Sequence, residues 1–226
     1  MKIVIREDGP YIVEGGIPLD RLILKGDGEV PVEYVEVETF EVRQSYTLCR
    51  CGLSKKKPFC DGSHRERFNG TITYKDKDCY QSAEIIEGRD LILYDNKELC
   101  SGAGFCIGDK STWVLIFSKD EERRRLAIKQ VENCPSGRLV LKDREGRDYE
   151  PKLSKSISIL EDVSLNISGP LWVKGGISIE TISGESFKPR NRVTLCRCGH
   201  SKRKPLCDRS HVSVKFRDES FYREDV

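Results

Sequence analysis

Three features predict a β-rich α+β fold: a duplicated block of alternating apolar and polar residues, a Gly-Gly turn ahead of a strand in each copy, and one well-signalled helix between the copies. The duplication is read from Tyr46-Thr-Leu-Cys-Arg-Cys-Gly52, which recurs as Val193-Thr-Leu-Cys-Arg-Cys-Gly199, and from Ser54-Lys-Lys-Lys-Pro-Phe-Cys-Asp61, which recurs as Ser201-Lys-Arg-Lys-Pro-Leu-Cys-Asp208. The offset is 147 residues, and Phe40 with Phe187 and Arg43 with Arg190 keep it. Upstream, Gly9-Pro-Tyr-Ile-Val-Glu-Gly-Gly-Ile17 echoes Gly169-Pro-Leu-Trp-Val-Lys-Gly-Gly-Ile177 at an offset of 160, so the first copy carries 13 extra residues. We place them in a loop around Lys25 to Pro31, where Gly26-Asp-Gly28 marks a turn.

Strands are predicted over residues 32–42 and 177–182, and the Cys-x-Cys loop follows the later strand of each copy. A short helical turn is expected to start at Asp61 and Asp208, since Asp is a good N-cap. Each copy thus reads as a β-rich unit of roughly 60 residues, about the lower limit for independent folding. Between them, strand-like runs occur at residues 90–94 and 113–117. Ser118-Lys-Asp-Glu121 fits a capping box for a helix with Leu126, Ile128 and Val131 on its apolar side, ending near Asn133 ahead of Cys134-Pro135. The domains expected are 1–70, 71–150 and 151–226.

Lys and Arg (39) nearly balance Asp and Glu (37), which gives no electrostatic case for nucleic acid. No apolar run is long enough to span a bilayer, and residues 1–10 have no signal-peptide core. A cytoplasmic protein with no membrane partner is expected, where ten clustered cysteines point to metal rather than to disulfides.

Cys49, Cys51, Cys60 and His64 in the first copy, and Cys196, Cys198, Cys207 and His211 in the second, supply three soft thiolates and one imidazole per site. A Cys-x3-His pair on a helical turn shares a face, and a helix N-terminus favours a negatively charged centre. The chemistry leaves a structural zinc ion and an iron–sulfur cluster both open, although the spacing is not that of a zinc finger, which pairs two short knuckles. His200 stands where the first copy has Leu53 and reads as a loop residue; Lys55 to Lys57 and Lys202 to Lys204 read as solvated loops or as docking sites for an acidic redox partner.

The run Cys49-Arg-Cys-Gly-Leu-Ser-Lys-Lys-Lys-Pro-Phe-Cys-Asp-Gly-Ser-His64 resembles the CDGSH iron–sulfur family at every motif position. The resemblance implies a [2Fe-2S] cluster in each copy. One iron would be on the Cys-x-Cys pair, the other on Cys60 and His64 or Cys207 and His211, with the two motifs forming an intramolecular pseudo-dimer. The second copy departs from the pattern: Arg209 replaces Gly62 at a position where positive φ is costly for any residue with a Cβ.

Cys100, Cys106 and Cys134 form a third constellation. The segment resembles a divergent mono-cluster ferredoxin, with Ala103 where the middle Cys would fall and Gly102 where the family often has His. Three thiolates suit a [3Fe-4S] cluster; a [4Fe-4S] cluster needs a fourth ligand, Cys79 or an external group, although Cys79 reads equally as a free structural cysteine. The expectation is a non-enzymatic, monomeric electron carrier serving a redox partner protein. The alternatives are a protein that transfers clusters to an apo-acceptor or senses them, and a zinc-dependent interaction module.

Overall fold

The computed structural model describes residues 1–28, 30–75 and 81–222. The first copy contributes β1 (Lys2–Ile5), β2 (Tyr11–Glu14), β3 (Leu19–Asp27), β4 (Val30–Phe40), β5 (Ser45–Leu48) and one helical turn, α1 (His64–Arg67). The central segment holds β6 (Glu84–Glu87), β7 (Leu91–Asp95), α2 (Thr112–Leu115), α3 (Glu121–Glu132) and β8 (Leu139–Asp143). The second copy gives β9 (Ser156–Asp162), β10 (Ile167–Lys174), β11 (Ser178–Thr181), β12 (Ser186–Phe187), β13 (Arg192–Leu195) and α4 (Ser210–Ser213). The β-rich α+β class is what the alternating runs predict.

The two copies do not fold as separate units. Among the described residues, one five-stranded sheet runs β12-β11-β1-β2-β5 and the other runs β13-β10-β9-β3-β4. Each copy therefore lends a hairpin to the other: β11 pairs parallel with β1, and β3 pairs parallel with β9. Tyr11, Val13, Leu19, Leu48, Ile157, Ile159, Leu171 and Leu195 share one apolar core between the sheets. Separating the copies would expose that core and strip both sheets of their exchanged edges.

The 13 extra residues do not form a loop either. They lengthen the β3–β4 hairpin to strands of nine and eleven residues, against four and two in β11 and β12. The longer hairpin reaches the central segment. Tyr34 donates to the Asn133 carbonyl at 2.7 Å and lies 4.6 Å from the Phe105 ring and 4.7 Å from Trp172. Phe105 and Ala103 pack there on Leu22, Leu24, Leu160 and Trp172. This cover explains why β10 is buried along almost its whole length while its counterpart β2 alternates.

In the central segment, an antiparallel sheet β6-β7-β8 packs on α3 through Leu91, Leu93, Leu139, Leu141, Ala127 and Val131. Three local expectations are corrected here. Residues 113–117 are a helical turn, α2, and the turn that follows it, rather than a strand: Leu115 and Ile116 enter the core, Val114 and Phe117 face outward, and the Thr112 hydroxyl donates to Gln130 of α3 at 2.7 Å. The N-cap of α3 is Asp120, which accepts from Glu122 and Arg123, while Ser118 accepts only from Asp120. Leu126 is exposed, so the inner face of α3 is set by Ala127 and Val131. The helix does end at Asn133.

The two Cys-x-Cys loops lie back to back. Cys51 and Cys198 form an antiparallel bridge, and the glycine after each has positive φ, +76° at Gly52 and +82° at Gly199. A Cβ on Gly52 would stand 2.5 Å from the Cys198 carbonyl oxygen, and one on Gly199 2.2 Å from that of Cys51. Gly62 also has positive φ, +95°, but open space around it. Gly62→Ala is therefore expected to cost about 1 kcal/mol, a fall in Tm of about 2–4 °C, while Gly52→Ala adds a backbone clash and costs about 3 kcal/mol or more. Thermal unfolding of both variants checks this, and equal losses would refute the clash.

Candidate metal centres

Each repeated site is assembled as two donor pairs. Cys49 and Cys51 sulfurs are 3.7 Å apart and the Cys60 sulfur is 3.4 Å from His64 Nδ1; the second copy has 3.6 Å and 3.3 Å for the same pairs. A tetrahedral metal with bonds of about 2.3 Å to sulfur and about 2.0 Å to nitrogen separates its donors by about 3.8 Å and about 3.5 Å. Each pair is thus spaced for one metal of its own. Among the described residues, no group of three such donors converges on a single ion.

Backbone bonds hold the pairs in place. Cys49 N–H donates to the Pro58 carbonyl at 2.8 Å and Cys60 N–H to that of Thr47 at 3.0 Å, and Cys196 and Cys207 repeat both bonds on Pro205 and Thr194. Ser54 and Ser201 brace the lysine-bearing loops by donating to the Phe59 and Leu206 carbonyls. Lys57 and Lys204 turn back onto the carbonyls of Ser54 and Ser201. His200 is exposed in its loop.

The helical turns begin later than Asp61 and Asp208. Asp61 instead accepts from the Ser63 N–H and hydroxyl and from Lys55 N–H, and Asp208 repeats this with Ser210 and Lys202. The Asp–x–Ser turn, not a shared helix face, brings Cys60 to His64, because Cys60 lies before α1. Nor do these single turns provide a helix N-terminus at the thiolates. Arg209 adopts φ 72°, the conformation that Gly62 reaches freely, so the loop keeps its shape in the second copy.

Electrostatics prepare the thiols unequally. The Cys51 hydrogen bond holds Cys49 down to about 6, and that of Cys198 holds Cys196 down to about 7, while the same bonds and burial push Cys51 and Cys198 up. Burial raises Cys60, and raises Cys207 further, with Cys196 and, more weakly, the central Cys100 adding to it. Burial, then Arg65, lowers His64; burial, then Arg197, lowers His211 to about 4. Both imidazoles are neutral at pH 7 and so have a lone pair to donate.

The arginine between each pair of cysteines turns away from the thiols. Arg50 donates to the carbonyls of Arg6 at 2.9 Å and Gly70 at 2.5 Å and stacks over Tyr11 and Phe68. Arg197 donates to the Gly169 carbonyl, to Asp218 at 2.6 Å and to Glu161 at 2.9 Å, all buried. Burial works against the Arg197 charge, but Glu161, Asp218 and Cys49 of the opposite site outweigh it and raise its pKa. Tyr11 ties the copies together too, donating to the Cys196 carbonyl at 2.8 Å.

Cys100, Cys106 and Cys134 line one cavity with Ser101 to Phe105, Ser136 and Arg138. Gly102 and Gly104 have φ of +84° and +86°, which turns the loop tightly around it. Burial, then Cys134, pushes Cys106 up to about 11. Two arginines here escaped the sequence reading. Arg138, four residues after Cys134, forms a bidentate pair with buried Asp95 at 2.6 and 2.8 Å; Asp95 first, and Cys100 after it, hold its pKa up. Arg192 of β13 donates to the carbonyls of Val131 at 2.6 Å and Cys134 at 2.9 Å, so the second copy holds a thiol-bearing residue of the central site. Its counterpart by the repeat is Ser45, and that contrast was the available signal. Cys79 lies outside the described residues.

Residues 8–65 and 168–212 match the family described as the iron-binding zinc finger of CDGSH type, and residues 86–144 match the one described as a divergent 4Fe-4S mono-cluster. The chain thus has two regions similar to the CDGSH family, with a region similar to the mono-cluster family between them. No curated protein and no solved structure matches it. Both CDGSH regions end at or just beyond the histidine of the paired-donor site, and the mono-cluster region contains Cys100, Cys106 and Cys134. All three candidate centres therefore lie in regions that match iron-binding or iron–sulfur domain families.

The depressed His211 pKa makes the metal-stripped chain sensitive to acid. Its folded value is about 4 against an ordinary 6.5, so the unfolded chain binds the extra proton first as pH falls. Stability is full above pH 6.5, falls by about 3 kcal/mol on the way to pH 4, and levels off below. Urea unfolding at pH 7 and pH 4 is expected to show a loss larger by that amount in the parent than in His211→Asn; equal losses would refute it.

Proposed function

We propose that the chain is a non-enzymatic electron carrier with [2Fe-2S] clusters on Cys49, Cys51, Cys60 and His64 and on Cys196, Cys198, Cys207 and His211, and a [3Fe-4S] cluster on Cys100, Cys106 and Cys134. The observation that carries this reading is the pairing of donors: two pairs per site, each spaced for its own metal, suit a two-iron cluster better than one zinc ion. Such clusters, when bound, accept and release single electrons. The polypeptide's part is to hold them close together. The CDGSH loops meet at Cys51 and Cys198 as an intramolecular pseudo-dimer, and Cys100 lies within electrostatic reach of Cys207. Arg138 sets fixed positive charge in the cavity of the central thiolates, which favours the reduced, more negative state. The carrier is read as cytoplasmic, with a redox protein as its partner; no helix among the described residues is long and apolar enough to cross a membrane.

A second reading, cluster transfer to an apo-acceptor, is favoured by one observation. His64 is only partly buried and opens onto a cleft of about 510 Å³. Incubation with an apo-ferredoxin separates the two: stable redox cycling supports the carrier, and loss of clusters to the acceptor supports transfer.

Iron and sulfide analysis with EPR on the anaerobically purified protein tests both, and a colourless, iron-free protein holding zinc would replace them. Neutral imidazole makes each [2Fe-2S] site less negative than four thiolates would, so His64→Cys and His211→Cys are each expected to lower one reduction potential and weaken its pH dependence. Unchanged potentials would exclude the histidines as ligands. Ala103→Cys supplies a thiolate at the ferredoxin position. It is expected to convert a paramagnetic signal of the oxidised protein into one seen only on reduction, as a three-iron cluster gains its fourth iron; a parent protein already showing only the latter would exclude [3Fe-4S].

A further inference from the structure

The two CDGSH sites share a ligand pattern but not an environment. His64 looks into the 510 Å³ cleft, bordered by Arg6, Asp8, Arg65 and Phe68. His211 is 5% exposed and faces a cavity of about 20 Å³ closed by Ser101, Gly102, Ala103, Pro170 and Val212. The difference comes from the central domain, whose segment 98–103 lies across the second site and has no counterpart over the first among the described residues. Two arginines of the second motif hold that segment. Arg203 donates to the Glu98 carbonyl and pairs with its carboxylate at 2.6 Å. Arg209, the residue that breaks the family's glycine pattern, lies against Gly102, where an added Cβ would stand 3.2 Å from its Cγ. Gly102 has none, so loop and arginine fit together. At the matching places the first copy has Lys56 and Gly62, and a Cβ on Gly62 would meet nothing within 4 Å. Leu99 strengthens the seat by entering the shared core.

We propose that segment 98–103 is a fixed cover on the second CDGSH site, held by Arg203 and Arg209, so that the first site alone exchanges its metal with the surroundings. The second site is thereby kept for exchange of electrons within the molecule. This rests on the reading of both sites as cluster sites. Exchange here means that an external chelator or apo-protein takes the iron without change of oxidation state, while the thiolates and the released sulfide take up protons and the imidazole is released neutral. A substitution that looks like decay of the motif, glycine to arginine, becomes on this account the residue that divides labour between the copies.

Two measurements on the protein as purified test it. Challenge with an iron chelator, followed by visible absorption and by EPR, is expected to remove the His64 cluster at least about tenfold faster than the His211 cluster, since release needs local opening of the cover. His64→Cys and His211→Cys identify which phase belongs to which site. Amide hydrogen exchange is expected to be faster over residues 62–68 than over 209–215. The double variant Arg203→Ala, Arg209→Gly removes the cover's contacts without straining the backbone, because glycine suits the φ of 72°; it should speed the slow phase and the exchange over 209–215 and leave the first site alone. A single phase, a slow phase on His64, or equal amide exchange in the two segments would overturn the proposal. Protein purified without iron would defeat the cluster reading instead, and the amide measurement would still decide whether the cover exists.

Discussion

Everything in this molecule depends on the contact between two short loops. Cys51 and Cys198 bridge each other, and each is followed by a glycine whose missing Cβ makes room for the other's carbonyl. That contact sets the separation of the two sites and explains why the motifs carry glycine after the second cysteine: the constraint comes from the opposite motif, not from the metal. The exchanged hairpins reinforce it. With β3 and β4 in the second copy's sheet and β11 and β12 in the first's, neither site can move without shifting strands of both halves. A rigid frame of this kind favours electron exchange, because little has to reorganise when the charge of a site changes.

Onto this nearly symmetric frame the chain adds a third domain, and the asymmetries all trace to its seat. The first copy's lengthened hairpin supplies Tyr34, the second copy's β13 supplies Arg192, and the second motif supplies Arg203 and Arg209. None of the four has an equivalent side chain at the repeat-related position. The central site is therefore not an independent bead on a string. Cys134, at the end of α3, is held by an arginine from another domain, so the central thiols are in register only when the flanking sheets are formed.

The paired donors and the repeat were legible in the sequence because they depend on short-range spacing and on identity. The class of the fold was legible for the same reason, as period-two alternation reports which face of a strand is buried. It does not report which sheet the strand joins, and so the hairpin exchange was invisible: β1 with β11 and β3 with β9 are pairings between residues far apart in the chain. Residues 113–117 misled because a short apolar run fits a strand and a helical turn equally, and packing against α3 decides. Asp61 misled in a related way. Its preference for N–H donors was read correctly, but the carboxylate serves the turn before the helix, holding Ser63 and Lys55. The arginines at 138 and 192 were hidden by the base rate of solvated charge; only the geometry separates them from the other basic residues.

Charge explains why these arginines are where they are. A thiolate-rich centre is anionic, and a buried anion is tolerated only beside compensating positive charge or N–H donors. The first site, open to water on one side, manages with Arg50 tied to backbone carbonyls and neighbouring rings. The second site, closed by the cover, has a deeper need, and it has Arg197 locked between Glu161 and Asp218. Those carboxylates do more than orient the guanidinium. They neutralise much of its charge, so the closed site is balanced rather than overwhelmed by a cation in a medium of low dielectric constant. The same reasoning covers the central site, where Asp95 holds Arg138 in the cavity that Cys100 lines. Enclosure and the buried arginine–carboxylate pair therefore belong together at the closed site, where Arg197 acts on His211, and the same guanidinium reaches Cys49 of the open site.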